Sequence, residues 1–175
     1  MKNTEILGVA AVVAILLGIV MAVAGPGTRF NQGWNYLANG NNMNTSQPTA
    51  LDYHQLARQD ATLNGIDPDL FERQINQESG WNPVAVSQMG AIGIAQIEPS
   101  TAQAWGVDPH DPVASLSAAA KAMSWYQNHY GSFEKALAAY NGGSSKLDWC
   151  IANYTDWKSC MPSETQRYVA AIMGV

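Results

Sequence analysis

The order of apolar and polar positions divides the chain into three segments. Ile6–Ala24 is a run of nineteen residues without a polar side chain, and as a helix it would span about 28 Å, close to the hydrocarbon core of a bilayer. Residues 31–49 are rich in Asn and Gln, which is typical of a flexible polar tether. From Leu51 onwards apolar residues recur at helical spacing. The pattern therefore predicts a transmembrane anchor or signal segment over 1–29, a flexible linker over 30–50 and a folded domain over 51–175.

The apolar run has two interpretations that the residues leave open. One is an uncleaved anchor, favoured because the run is longer than the about 7–15 residues of a signal-peptide core. The other is a cleaved signal peptide, with the small residues of Ala22–Ala24 as the cleavage site before Gly25. Both place the folded domain outside the cytoplasm.

Helix-start signals predict a mainly α domain. Asp67–Pro68 and Asp111–Pro112 each combine an N-cap residue with a proline at the first helical position, and Ser163 with Gln166 has the spacing of a capping box. No long alternating pattern is present, so at most a small hairpin is expected, around residues 85–97. The helices predicted in this way cover 51–64, 68–79, 100–105, 112–130, 133–140, 145–153 and 164–173.

Charge and histidine spacing argue against two classes of function, nucleic-acid binding and metal binding. Residues 51–175 carry 7 Lys/Arg against 13 Asp/Glu and contain no basic block, which disfavours binding to nucleic acid through its phosphates. The three histidines, His54, His110 and His129, lack the spacing of metal ligands. We expect no metal and no other cofactor.

The chain has two cysteines, Cys150 and Cys160, ten residues apart. In an exported domain this pair predicts a disulfide. Two free thiols are the alternative.

Glu78 is the first candidate for chemistry. It lies at the predicted C-terminal end of a helix, where the helix dipole disfavours a negative charge. A carboxyl half-buried there beside apolar side chains has a raised pKa, which suits a general acid. A single Glu before a Gly is usually a solvated surface charge, so the surrounding residues decide between the two.

Four motifs surround this residue in the chain. They are Gln77–Pro83, Gly93–Ile97, Ala139–Gly143 and the pair Glu164–Thr165 with Tyr168–Val169. In this order and spacing they resemble the soluble lytic transglycosylase family, whose catalytic domains share the lysozyme-like fold with goose-type lysozyme relatives. The resemblance covers about residues 55–172, and it implies that 51–175 is a catalytic domain.

The resemblance also implies a role for individual residues. Glu78 corresponds to the family's single catalytic acid/base, and Tyr140 to an aromatic whose hydroxyl approaches that carboxyl. Glu98 departs from the family, which often has Met there and at Ala95, and it would put a second carboxylate near the groove. The positions implied for substrate binding are Ser87, Gln96, Glu98, Tyr140 and Asn141, and those implied for structural support, tying the last helix to the cleft, are Glu164 and Tyr168.

The activity implied is lytic cleavage of peptidoglycan at the bond between N-acetylmuramic acid and N-acetylglucosamine, with formation of 1,6-anhydro ends. Most glycosidases need two carboxylates, whereas here the substrate supplies the nucleophile. The implied partners are glycan strands, the membrane through the N-terminal helix, and components of a secretion or conjugation machine or of a virion.

Two alternatives remain at this point. One is a goose-type lysozyme, a hydrolase in which Glu98 activates water. The other is a non-catalytic structural protein that binds the wall.

Overall fold

The computed structural model describes residues 50–175. The predicted anchor or signal segment, and the linker up to residue 49, lie outside these residues. No helix within 50–175 is long and apolar enough to cross a membrane.

The described part of the chain is built from helices, as the sequence predicts. Seven helices begin and end within two residues of their predicted bounds, and one, Trp157–Cys160, was not predicted. That short helix begins where the Asp156 carboxylate accepts a hydrogen bond from the Lys158 N–H at 3.2 Å. The helices are α1 (Ala50–Leu63), α2 (Pro68–Ser79), α3 (Pro99–Trp105), α4 (Pro112–Tyr130), α5 (Phe133–Gly142), α6 (Ser144–Asn153), α7 (Trp157–Cys160) and α8 (Ser163–Met173).

The helix starts follow their capping chemistry in two cases and depart from it in one. The Asp67 carboxylate accepts from the backbone N–H groups of the second and third residues of α2, and Asp111 does the same for α4. The predicted capping box at Ser163 is wrong, because Pro162 takes the N-cap conformation and leaves Ser163 inside the helix. The side chain of Gln166 instead donates to the Met161 carbonyl at 2.8 Å.

The expected hairpin is reduced to two isolated antiparallel bridges, Val86 with Ile92 and Ile92 with Ile97. Residues 50–175 contain no longer strand. Gly93 lies in the middle of this loop with φ 78°, and a Cβ added there would be 2.2 Å from the Pro109 carbonyl oxygen. The loop is therefore packed directly onto the backbone that leads into α4.

A close approach of α5 to α8 completes the core. The buried face of α5 is rich in alanine, and the helix ends at Gly142. A Cβ on Gly142 would be 2.6 Å from Met161 Cε and 2.8 Å from Thr165 Oγ1. This glycine lets α8 lie against α5, and α8 also packs against α2. The end of α2, which carries Glu78, thereby lies against the middle of α8, which carries Tyr168.

Candidate active site

Glu78 is the penultimate residue of α2, and the helix ends directly after it. Gly80 caps the helix in the left-handed conformation, with its N–H donating to the Asn76 carbonyl. Trp81 follows with φ 67°, a conformation that is uncommon for a residue with a side chain. Two successive left-handed residues turn the chain sharply away and leave the Glu78 carboxyl at the helix end.

The direct partner of this carboxyl comes from α8. The Tyr168 hydroxyl donates to Glu78 Oε1 at 2.5 Å. Tyr168 is 6% exposed. The contact joins two residues 90 positions apart.

Burial controls the charge of Glu78. It raises the pKa of the carboxyl from 4.5 to about 7, and the hydrogen bond from Tyr168 lowers it by less. A carboxyl with this pKa exists in both protonation states near neutral pH. It can give a proton to a bound group and take one back.

Tyr140 lies near the same carboxyl without bonding to it. Its hydroxyl donates to the Ala95 carbonyl at 2.9 Å, and its ring is 6.4 Å from that of Trp105. Burial and the charge of Glu78 hold the pKa of Tyr140 well above its usual range, so the phenol stays neutral. The hydrogen bond to the carboxyl comes instead from Tyr168, which the resemblance placed only in structural support.

Ser87 and Gln96, the two polar loop positions expected to line a groove, are engaged with the loop itself. Ser87 Oγ accepts from the Ala91 N–H at 3.0 Å. Gln96 Nε2 donates to the Gly93 carbonyl at 2.8 Å and to the Ala85 carbonyl at 3.3 Å. These bonds brace the loop next to Glu78. A further bond, from Ser79 Oγ to the Ile94 carbonyl at 2.7 Å, ties the loop to the end of α2.

Three other predicted residues are exposed. Glu98 precedes α3 without capping it through its side chain, Asn141 lies in the last turn of α5, and Glu164 lies in the first turn of α8. None of the three side chains makes a hydrogen bond or an ion pair with another residue in the described range. The hydrogen bond that connects α8 to Glu78 is thus donated by Tyr168, and Glu164 takes no part in it.

Gln74 was missed by sequence reasoning. It is fully buried, and neither atom of its amide has a hydrogen-bond partner among residues 50–175. Leaving such a group unpaired costs about 1–3 kcal/mol. The available signal was its position, four residues before Glu78 on a face that otherwise buries Phe71 and Ile75.

A disulfide joins Cys150 at the inner face of α6 to Cys160 at the end of α7, with Cα atoms 5.6 Å apart. No free cysteine occurs between residues 50 and 175. The covalent link fixes the short α7 helix to the rest of the domain.

Sequence comparison relates this domain to known proteins. Residues 55–159 match the family described as Transglycosylase SLT domain. The chain is 34% identical over 85 residues to a transglycosylase of Enterobacteria phage PRD1. This alignment covers 48% of this chain and 32% of the relative. It is 32% identical over 105 residues to the peptidoglycan transglycosylase gp16 of Escherichia phage T7, covering 55% of this chain and 8% of that protein. The chain therefore spans a third or less of these curated relatives.

Solved structures show the same fold. The 70 kDa soluble lytic transglycosylase of Escherichia coli aligns with a TM-score of 0.59 at 24% identity, over 69% of this chain and 23% of that one. An inactive mutant of the lytic transglycosylase Slt from Pseudomonas aeruginosa aligns with a TM-score of 0.59 at 20% identity. The alignment covers 68% of this chain and 22% of that one. These likenesses support the expected lysozyme-like class. The family match ends at residue 159, so Tyr168 lies nine residues beyond it.

Proposed function

Because this chain belongs to the Transglycosylase SLT domain family, we propose that its folded domain is a peptidoglycan lytic transglycosylase. Its substrate is the bond between N-acetylmuramic acid and N-acetylglucosamine, and its products carry 1,6-anhydro ends. The observation that carries the proposal is the partly buried carboxyl of Glu78, with a pKa of about 7 and a tyrosine hydroxyl on one of its oxygens. Burial and that hydrogen bond account for the pKa, and a second carboxylate does not contribute to it.

In the first step Glu78 acts as the acid. Its protonated carboxyl gives the proton to the glycosidic oxygen, and the bond from that oxygen to the muramyl anomeric carbon breaks. The acetamido group of the same sugar stabilises the positive charge that develops on the ring. Acid catalysis of this kind accelerates a reaction by about 10²–10⁴-fold.

In the second step the same residue acts as the base. The Glu78 carboxylate, supported by the Tyr168 hydroxyl, takes the proton from the muramyl 6-hydroxyl, whose oxygen attacks the anomeric carbon. A new intramolecular C–O bond replaces the broken one, and Glu78 is protonated again. No water is consumed, so one carboxyl is sufficient.

The product is the sharpest test of this reaction. Digestion of purified peptidoglycan followed by mass spectrometry should give muramyl ends lighter by one water than ordinary reducing ends. Ordinary reducing ends would contradict the transglycosylase reaction and support a lysozyme-type hydrolase. No lysis at all by folded wild-type protein would support a wall-binding protein without activity.

Substitution of the acid tests its assignment. Glu78→Gln keeps the size of the side chain, so it should fold while losing at least about 100-fold in rate. Glu134→Gln is the matched control, because this residue of α5 pairs with Lys158 at the surface, and it should keep the wild-type rate. Lysis by Glu78→Gln at the wild-type rate would refute the assignment.

We also propose how the domain is delivered to its substrate. Residues 1–29 anchor the chain in the membrane or export it, 30–50 act as a flexible linker, and 51–175 act on the wall at the periplasmic side, or from a virion if a phage encodes the chain. Local opening of the wall for a secretion or conjugation machine, or for phage entry, is the proposed setting. The names of the two phage relatives support the phage setting, and a disulfide suits a domain outside the cytoplasm.

Cell fractionation of the full chain tests the anchor. An anchored chain should remain in the membrane fraction after washing with high salt, with its apolar run intact by mass. A soluble product that begins near Gly25 would instead support export after signal cleavage.

A further inference from the structure

Gln74 lies one helical turn before Glu78 on α2, so the two side chains project from the same face of the helix. The amide is fully buried, and neither of its atoms has a hydrogen-bond partner in the described structure. A Leu or Met of similar size would fill the position without burying an unpaired group. Packing alone therefore gives no reason for an amide here.

The chemistry next to the amide is the Tyr168 hydroxyl. That hydroxyl donates its hydrogen to Glu78 Oε1, and the Gln74 amide lowers the pKa of Tyr168, which identifies the two groups as neighbours. Their geometry falls short of a completed hydrogen bond. The terminal torsion of a glutamine is soft, so the amide can rotate to aim its N–H at the hydroxyl oxygen.

We propose that Gln74 is a positioning residue that directs the Tyr168 hydroxyl toward Glu78 Oε1. The other carboxyl oxygen, Oε2, then carries the proton that Glu78 gives to substrate and takes back. The Gln74 N–H occupies one lone pair of the hydroxyl oxygen, which makes that oxygen a poorer acceptor for the carboxyl proton. The Tyr168 hydroxyl continues to donate its hydrogen bond to Oε1, and Oε2 exchanges a proton with substrate. This inference rests on the proposed function, in which one carboxyl is acid and then base.

No other neighbour takes over this task. The titratable groups that face Glu78 from the helices packed against it are Tyr168 from α8 and Tyr140 from α5. The Tyr140 hydroxyl is committed to the Ala95 carbonyl. If the Tyr168 hydroxyl no longer points at Glu78 Oε1, the Tyr140 hydroxyl therefore does not replace its hydrogen bond.

A double-mutant cycle isolates the effect. The variants are Gln74→Leu, Tyr168→Phe and the combination, and Gln59→Leu on the exposed face of α1 is the matched control. We measure kcat/KM against pH on soluble peptidoglycan fragments, together with the melting temperature. Gln74→Met is a second variant in case Leu at this position does not fold.

Gln74→Leu should lower kcat/KM by about 3- to 10-fold, the effect of one hydrogen bond, while the melting temperature stays the same or rises. The fall of activity at alkaline pH should move to higher pH, because a hydroxyl that is no longer directed supports the carboxylate less. In the Tyr168→Phe background the same substitution should change neither kcat/KM nor the pH at which activity falls, and Gln59→Leu should match the wild type.

Three results would overturn the inference: an unchanged rate and pH profile in Gln74→Leu, a loss of equal size in the Tyr168→Phe background, or a lower melting temperature with the alkaline limb unmoved. The products of the wild-type protein in the same assay report on the proposed function separately. Ordinary reducing ends would refute the transglycosylase reaction, whereas anhydro ends with an unaffected Gln74→Leu variant would refute the role of Gln74 alone.

Discussion

Two opposing influences act on the carboxyl of Glu78. Removal from water favours its neutral form, and the hydrogen bond from Tyr168 favours its charged form. The first is larger, so the carboxyl titrates near neutrality. Burial of an acid in this way lowers the free energy of unfolding at pH values at which the folded protein must hold the carboxyl charged. The raised pKa therefore affects both the rate and the stability.

The first consequence concerns the rate. Because the proposed first step needs protonated Glu78, kcat/KM should fall by up to tenfold per pH unit above a pH of about 7. A rate profile from acid to alkaline pH measures this. Asp60 is the control, since burial raises its pKa to about 6, and Asp60→Asn should leave the alkaline limb in place. A flat profile would rule out Glu78 as the acid.

The second consequence concerns stability. The folded pKa of Glu78 lies above the unfolded value, so the unfolded chain releases the proton first, and the free energy of unfolding falls as pH rises from about 4.5 to about 7. Glu78→Gln should abolish this part of the fall and be more stable than wild type at pH 8, by up to about 3 kcal/mol. Denaturant titrations at pH 4 and pH 8 measure the difference. Equal stability of the two proteins at both pH values would contradict the raised pKa.

At the scale of elements, the loop over residues 85–97 shows what sequence signals convey and what they omit. Its glycines indicate irregular backbone, and the structure has only two bridges there. The contact of Gly93 with the Pro109 carbonyl is invisible in the sequence, because it depends on how two distant segments pack. The capping signals of Asp67 and Asp111 succeeded for the opposite reason, since a cap depends on its next three residues.

This contact predicts a difference between two glycines of the same loop. Gly93→Ala meets both a left-handed φ and a carbonyl oxygen 2.2 Å from the new Cβ, whereas Gly90→Ala meets only the left-handed φ, with open space around it. Thermal unfolding should show a loss of about 1–2 kcal/mol for Gly90→Ala and roughly 2–5 kcal/mol for Gly93→Ala. Equal losses would mean that the loop moves away from Pro109 at no cost.

At the scale of the whole molecule, the site is assembled from separate parts of the chain. Glu78 and Tyr168 were both identified as candidates from their motifs, but their contact across 90 residues was not predicted, because nothing local encodes it. Gln74 escaped notice because a polar residue type does not reveal that its position is buried. Sequence patterns thus predicted the helices and singled out Glu78 as a candidate, and the arrangement around Glu78 required the packed structure.

The disulfide gives a prediction at this scale. Thiol labelling of unreduced, denatured protein should find no free thiol at Cys150 or Cys160. The double substitution of both cysteines by Ser should lower the free energy of unfolding by about 3 kcal/mol, the loop-entropy value for a closed loop of this length. Two labelled cysteines in the unreduced protein would contradict the pairing.

The position of α8 in the chain has a consequence for the order of events during synthesis. This helix, which supplies Tyr168, is the last helix of the described chain to be synthesised. Until it docks, the Glu78 carboxyl has no Tyr168 hydroxyl to donate to its Oε1. A chain from which α8 has not yet emerged therefore lacks the arrangement on which the proposed catalysis depends.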